Sequence, residues 1–219
     1  MSPDSIFVEV ARFGVVPVIA IEALDAAIPL ADALVAGGLP VAEITFRTAA
    51  AVEVIAAMTR HRPELLVGAG TVLTEDNVKA AKAAGARFAV APGLNPAVVA
   101  HAAQAGLPFA PGICTPSEIE QALALGCRVV KFFPAEAAGG VEMVKALFAP
   151  YAHTGIRFMP TGGIHAGNLE HYLAVKAVAA VGGTWIAKPE DLSAGRWDLI
   201  RDRCREAVEI VRRVRAVVK

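Results

Sequence analysis

Compact apolar runs recur along this chain at a regular spacing, at 15–21 (VVPVIAI), 40–46 (PVAEITF), 65–70 (LLVGAG), 87–93 (RFAVAPG), 107–113 (LPFAPGI), 127–133 (CRVVKFF), 156–162 (IRFMPTG) and 177–183 (AVAAVGG). Alanine-rich segments of helical period separate them. Runs that are apolar on both faces suit strands covered on both sides, and strands joined through helices run parallel. Eight such units with no break in composition predict an α/β fold, a closed (β/α)8 TIM barrel. One extra N-terminal helix precedes it, and the expected extent is a single domain over 1–219. The competing arrangement is an open doubly wound sheet. That fold usually carries a glycine fingerprint after its first strand, and VVPVIAIEALD has none.

Helix boundaries agree with the alternation. Asp25 is placed to open the segment that stops at Gly37 and Gly38, and Thr74 to open the one that stops at Gly85. Asn95 before a proline and Thr115 before Pro116 and Glu118 give two further starts, the second with capping-box spacing. In the last helix Trp197, Ile200, Cys204, Val208, Val211 and Val214 form one stripe. Its charges pair at helical spacing as Asp198–Arg201, Asp202–Arg205 and Glu209–Arg213.

The 21 lysines and arginines balance 21 aspartates and glutamates, so no basic excess points to nucleic acid or to an anionic membrane. No apolar run reaches the length of a membrane span. MSPDSIFVEVARFG lacks the basic and apolar regions of a signal peptide, so a cytoplasmic location is expected. Cys114, Cys127 and Cys204 are odd in number and far apart, which supports neither disulfides nor a zinc site. The histidines have no metal-ligand spacing either, and His165 is expected to be a solvent-exposed rim residue. No metal and no cofactor are expected.

In such a barrel the reactive groups gather at the C-terminal ends of the strands. RVVKFFPAE sets Lys131 among valines and phenylalanines, and Pro134 forces the strand to end close behind it. In water only about one lysine amine in a thousand is neutral at pH 7, and burial among apolar neighbours favours the neutral nucleophile. That is a route to a Schiff-base lysine. A lysine that snorkels to the rim, or one that simply pairs with Glu43, reads equally well from this segment alone.

In EITFRT, Glu43, Thr45 and Arg47 share one strand face, as a general acid/base with its neighbours or as a structural Glu43–Arg47 pair. GAGTV places the Thr71 hydroxyl at the rim beside glycines, which an ordinary βα turn explains as well. PTGGI and VGGTW end the seventh and eighth strands. Paired glycines with a threonine there suit a phosphate site of free backbone N–H groups, and two plain glycine turns are the alternative.

EITFRT, GAGTV, VKFFPAE, PTGGI and GGTW, in this order on successive strands, closely resemble the 2-keto-3-deoxy-6-phosphogluconate aldolases, also called 4-hydroxy-2-oxoglutarate aldolases. The resemblance runs from the first strand to the eighth. It implies a metal-independent class I aldolase on a homotrimeric (β/α)8 barrel, whose partner is a phosphorylated 2-keto acid. By motif, Lys131 would be the Schiff-base lysine and Glu43 the general acid/base. Arg47 and Thr71 would hold the pyruvyl carboxylate, and Phe133 would wall the pocket, with Pro92 and Thr161 also in the binding set. Gly162, Gly163, Gly183 and Thr184 would receive the phosphate. The chain departs from many relatives in having Thr184 for serine and Phe46 for leucine. Arg47 favours the gluconate over the galactonate type. A phosphosugar epimerase and a noncatalytic phosphate-binding barrel are the alternatives outside the aldolases.

Overall fold

A computed structural model describes residues 3–217. After α1 (Pro3–Phe13) the chain runs β1 (Val15–Ile19), α2 (Ala27–Ala36), β2 (Val41–Thr45), α3 (Ala51–His61), β3 (Leu66–Gly70) and α4 (Glu75–Ala83). It continues through β4 (Ala89–Val90), α5 (Pro96–Gln104), β5 (Phe109–Ala110), β6 (Gly112–Ile113), α6 (Pro116–Ala124), β7 (Val129–Phe132) and α7 (Gly140–Phe148). It finishes with β8 (Arg157–Phe158), α8 (Ala166–Leu173), β9 (Val181–Gly183), α9 (Pro189–Ser193) and α10 (Trp197–Val217).

Every named strand pair is parallel, in the orders β5-β4-β3-β2-β1-β9 and β6-β7-β8. Two links close the ring. On one side β5 and β6 are halves of a single predicted strand, interrupted at Pro111, which has no N–H to give to a ladder. Its carbonyl still accepts from Lys131 N at 2.8 Å, while Ala91 N donates to Ala110 O at 3.3 Å. On the other side Ala179 N donates to Phe158 O at 2.9 Å and Gly182 N to Pro160 O at 2.8 Å, joining β8 to β9. With β5 and β6 counted as one stave, the predicted eight-stave barrel forms.

The regular strands are shorter than the apolar runs that announce them. Of 177–183, only 181–183 is regular strand; the preceding stretch lies along β8 through single bonds. Residues of β1, β2 and β3 are buried throughout, as runs apolar on both faces require. At the N-terminal end of the barrel Phe7 of α1 packs edge-on against Phe88, ring centroids 6.0 Å apart, so the extra helix covers that end.

Thr74 accepts from Asn77 N, Asn95 from Ala97 N, and Thr115 with Glu118 makes the full capping box. Asp25 does not cap. A 3-10 turn at Leu24–Ala26 comes first, and α2 starts from Ala26 without a side-chain cap. On α10 the buried stripe of Ile200, Cys204, Val211 and Val214 faces the barrel layer. A Cβ on Gly37 would lie 2.4 Å from Cys204 Cβ, so the glycine that ends α2 also lets α10 approach. Arg201 pairs with Asp198 at 2.7 Å and Arg205 with Asp202 at 3.4 Å. Arg213 turns instead to Glu170 at 2.8 Å, because α8 lies beside α10 and offers a nearer carboxylate than Glu209.

Candidate active site

Lys131 is the third of the four residues of β7 and is only 5% exposed. Its side chain crosses the barrel interior to Glu43 in the middle of β2, fully buried, with Nζ 3.0 Å from Oε1 and 3.3 Å from Oε2. A snorkelling lysine is thereby ruled out. So is the structural pair of Glu43 with Arg47, since the carboxylate points to the opposite stave.

The space for this meeting is built into β3. A Cβ on Gly70 would lie 2.2 Å from Glu43 Oε1, and one on Gly68 would lie 2.3 Å from the Phe88 ring. The glycines of GAGTV therefore make room for neighbouring side chains inside the barrel, beyond the turn role read from sequence. Thr71, just past β3, has φ +56°, a left-handed conformation that is uncommon for a β-branched residue. It is half-buried at the rim, as are Pro92 and Phe133. The Phe133 ring centroid lies 6.0 Å from Lys131 Nζ.

Thr45 ends β2, and Arg47 follows at the exposed rim. Arg47 Nε donates to Thr45 Oγ1 at 3.2 Å, and among the described residues no carboxylate pairs with Arg47. Its guanidinium stands just beyond the C-terminal end of β2, the strand that carries Glu43.

The glycine turns follow Lys131 around the ring, PTGGI after β8 on the neighbouring stave and VGGTW on β9, one stave further. Thr161 N donates to Phe132 O at 2.9 Å, Ala135 N to Thr161 O at 2.8 Å and Glu136 N to Gly162 O at 3.0 Å. The segment that leaves the lysine strand is thus laced to PTGGI. Gly162 and Gly163 have φ +105° and +78°, conformations that keep side chains away from the turn. Thr161 is buried, and a Cβ on Gly182 would lie 2.2 Å from its hydroxyl. Gly183 is buried against the Trp185 indole, where a Cβ would come within 2.0 Å, and Thr184 is exposed at the rim. These glycines serve packing as well as an open backbone.

Two contacts near this turn carry no sequence signal strong enough to have singled them out. The buried Tyr172 of α8 donates its hydroxyl to the Glu136 carboxylate, and its burial and that carboxylate push the phenol well above its usual range. His165 is exposed as expected, and it also caps α8, its Nδ1 accepting from Gly167 N at 3.1 Å. Among the described residues no group of three or more His, Cys, Asp or Glu is placed to hold a metal. A cavity of about 320 Å³ lined by Phe7, Leu107 and Val129 lies at the other end of the barrel and contains none of these groups.

A buried amine hydrogen-bonded to a buried carboxylate can form and break an imine with proton transfer at hand. Residues 7–203 match the family described as KDPG and KHG aldolase. The chain belongs to this aldolase family. These are lyases. The aldolase is 46% identical over 207 residues to the 2-dehydro-3-deoxy-phosphogluconate aldolase of Treponema pallidum (strain Nichols), covering 94% of this chain and 98% of that one. It is 45% identical over 195 residues to the KHG/KDPG aldolase of Escherichia coli (strain K12), covering 89% and 91%.

Among solved structures, the KDPG aldolase of Legionella pneumophila, with pyruvate captured at low pH as a covalent carbinolamine intermediate, superposes with a TM-score of 0.88. The two are 40% identical, over 94% of this chain and 98% of that one. The Zymomonas mobilis ZM4 enzyme with 3-phosphoglycerate gives 0.84 at 37% identity, over 95% and 96%.

Proposed function

We propose that this aldolase cleaves 2-keto-3-deoxy-6-phosphogluconate to pyruvate and glyceraldehyde 3-phosphate through a Schiff base on Lys131, and that it also accepts 4-hydroxy-2-oxoglutarate. The observation that carries the reading is the 3.0 Å contact between Lys131 Nζ and Glu43 Oε1 inside the barrel. One proton moving along that hydrogen bond converts an ammonium and a carboxylate into a nucleophilic amine and a carboxylic acid. Both are what the first step consumes.

The amine attacks the C2 ketone to give a carbinolamine. Glu43 then delivers a proton to the departing hydroxyl, water leaves and an iminium forms. Glu43, now a carboxylate, takes the C4 hydroxyl proton while the C3–C4 bond breaks, and the bonding electrons flow into the iminium. An enamine and the aldehyde result. Returning the proton to C3 gives the pyruvate iminium, which water hydrolyses to pyruvate and free Lys131. Each step leaves Glu43 in the protonation state that the next one needs.

Arg47 is assigned to the substrate carboxylate, because no acid among the described residues pairs with its guanidinium, which offers a fixed charged fork. Thr71 contributes at the same rim, and Phe133 and Pro92 wall the pocket. Gly162, Gly163, Gly183 and Thr184 receive the phosphate, with Thr161 in the same binding set; the bonds that lace PTGGI to the segment leaving the lysine strand support this, since they tie the lysine strand and this turn to one framework. Remote phosphate binding then serves orientation at C2 and C3. The carbinolamine captured in the Legionella relative supports the covalent route. The reading includes 1–219 as one domain, a cytoplasmic location and the homotrimer implied by the resemblance. Leu24, Ile28 and Leu73 are exposed apolar side chains, and no described helix is long and apolar enough to cross a membrane.

The test is a product assay that compares the gluconate and galactonate phosphates. Pyruvate released faster from the gluconate compound is the expected result. Release from neither compound would overturn the reading, and a preference for the galactonate compound would reverse the assignment of substrate.

A further inference from the structure

Arg47 stands exposed at the rim, and a long side chain there is free to sample many rotamers unless something fixes it. The residues on either side of it are fixed. The Thr45 hydroxyl, 1% exposed, donates its one proton to Ile19 O at 3.1 Å. Its lone pairs are thereby turned outward, and one of them accepts Arg47 Nε at 3.2 Å. On the far side the Thr48 hydroxyl donates to Ile21 O at 2.7 Å, and between them Phe46 N donates to Gly70 O at 2.8 Å. The segment around Arg47 is therefore pinned to the chain leaving β1 and to β3 at once.

We propose that Thr45 is the positioning residue for Arg47: its hydroxyl, oriented by the Ile19 carbonyl, holds Nε and leaves the two Nη groups as an end-on fork for the substrate carboxylate. Thr48 fixes the backbone of the same segment. Sequence alone shows Thr45 on the face shared by Glu43 and Arg47 and gives it no task. The inference rests on the assignment of Arg47 to the carboxylate.

Thr45→Val keeps the branched shape and removes the hydroxyl, Thr45→Ser keeps the hydroxyl, and Arg47→Lys replaces the fork with a point charge. Each is made alone, and Thr45→Val is also combined with Arg47→Lys, in a double-mutant cycle read by KM and kcat with circular dichroism as the check on folding. Thr45→Val is expected to raise KM for the keto acid about tenfold while kcat changes by less than about twofold, the pattern of lost ground-state binding. Thr45→Ser stays within about twofold of wild type, and Thr45→Val adds nothing in the Arg47→Lys background. The same loss in both backgrounds would show that Thr45 acts through packing of β2, and the proposal fails while the Arg47 assignment stands. No loss in Thr45→Val also overturns it. Wild-type KM in Arg47→Lys would overturn the carboxylate assignment and this inference together.

Discussion

Lys131 and Glu43 meet across the width of the barrel, from staves four positions apart in either direction around the ring, with Nζ 3.0 Å from Oε1. Neither residue has another side chain as hydrogen-bond partner among the described residues. Two opposite charges isolated together in an apolar interior gain little for stability over a well-packed apolar pair, so their retention is better explained by chemistry.

Glu43→Gln preserves shape and a hydrogen bond to Lys131 while removing the proton carrier. Turnover is expected to fall by about 10²- to 10⁴-fold. The pyruvate concentration needed for half-maximal covalent labelling should shift far less. Steady-state kinetics beside labelling titrations check this, and equal losses in both would make Glu43 a structural partner.

Gly70→Ala is expected to disable the enzyme without unfolding it. The new methyl would sit 2.2 Å from Glu43 Oε1, so the carboxylate must swing away from Lys131. A displacement of about 1 Å at a reacting group costs on the order of 10²-fold in rate. Activity near wild type would mean that the Glu43 position tolerates such a shift.

Much of this arrangement is legible in the sequence, because strand period, burial and ordinal position are local properties. Pro134 marks the end of the lysine strand, and Lys131 inside an apolar run is conspicuous without coordinates. The fifth strand shows where that logic stops. LPFAPGI reads as one strand, yet Pro111 cannot donate to the ladder and divides it. Partners set by tertiary packing are equally out of reach: Arg213 prefers Glu170 on another helix to Glu209 on its own. The Tyr172–Glu136 contact joins residues 36 apart through the α8 packing, and no spacing rule announces it. Glu43 shows an intermediate case, since the sequence offers it two partners and only the closed ring chooses Lys131.

Gly163→Ala probes the phosphate assignment. At φ +78° a side chain is strained, and its Cβ would lie 2.6 Å from Glu136 Cγ. KM for the phosphorylated substrate is expected to rise by about tenfold or more, with 4-hydroxy-2-oxoglutarate affected less than about threefold. Equal effects on both substrates would place the damage away from the phosphate.

Asp191 supplies a pH prediction. Its carboxylate is buried and accepts from Arg203 Nη1 at 2.5 Å and Arg196 Nη1 at 3.2 Å, and the Arg203 bond foremost holds it below the usual carboxylate range. A depressed folded-state pKa adds stability above the unfolded value of about 4, and that contribution is lost as pH falls through the folded value. Asp191→Asn should lower stability at neutral pH by about 1–2 kcal/mol and flatten the loss below pH about 4. Denaturant titrations at several pH values check both, and parallel curves for the two proteins would remove Asp191 from the acid response.

The most direct test of the covalent mechanism is reductive trapping. The protein is incubated with pyruvate and borohydride, digested, and the modified peptide is located by mass spectrometry. The mechanism predicts one adduct, on Lys131, with loss of activity in proportion to labelling, and none in Lys131→Met. A label on another lysine, or no label at all, would contradict it.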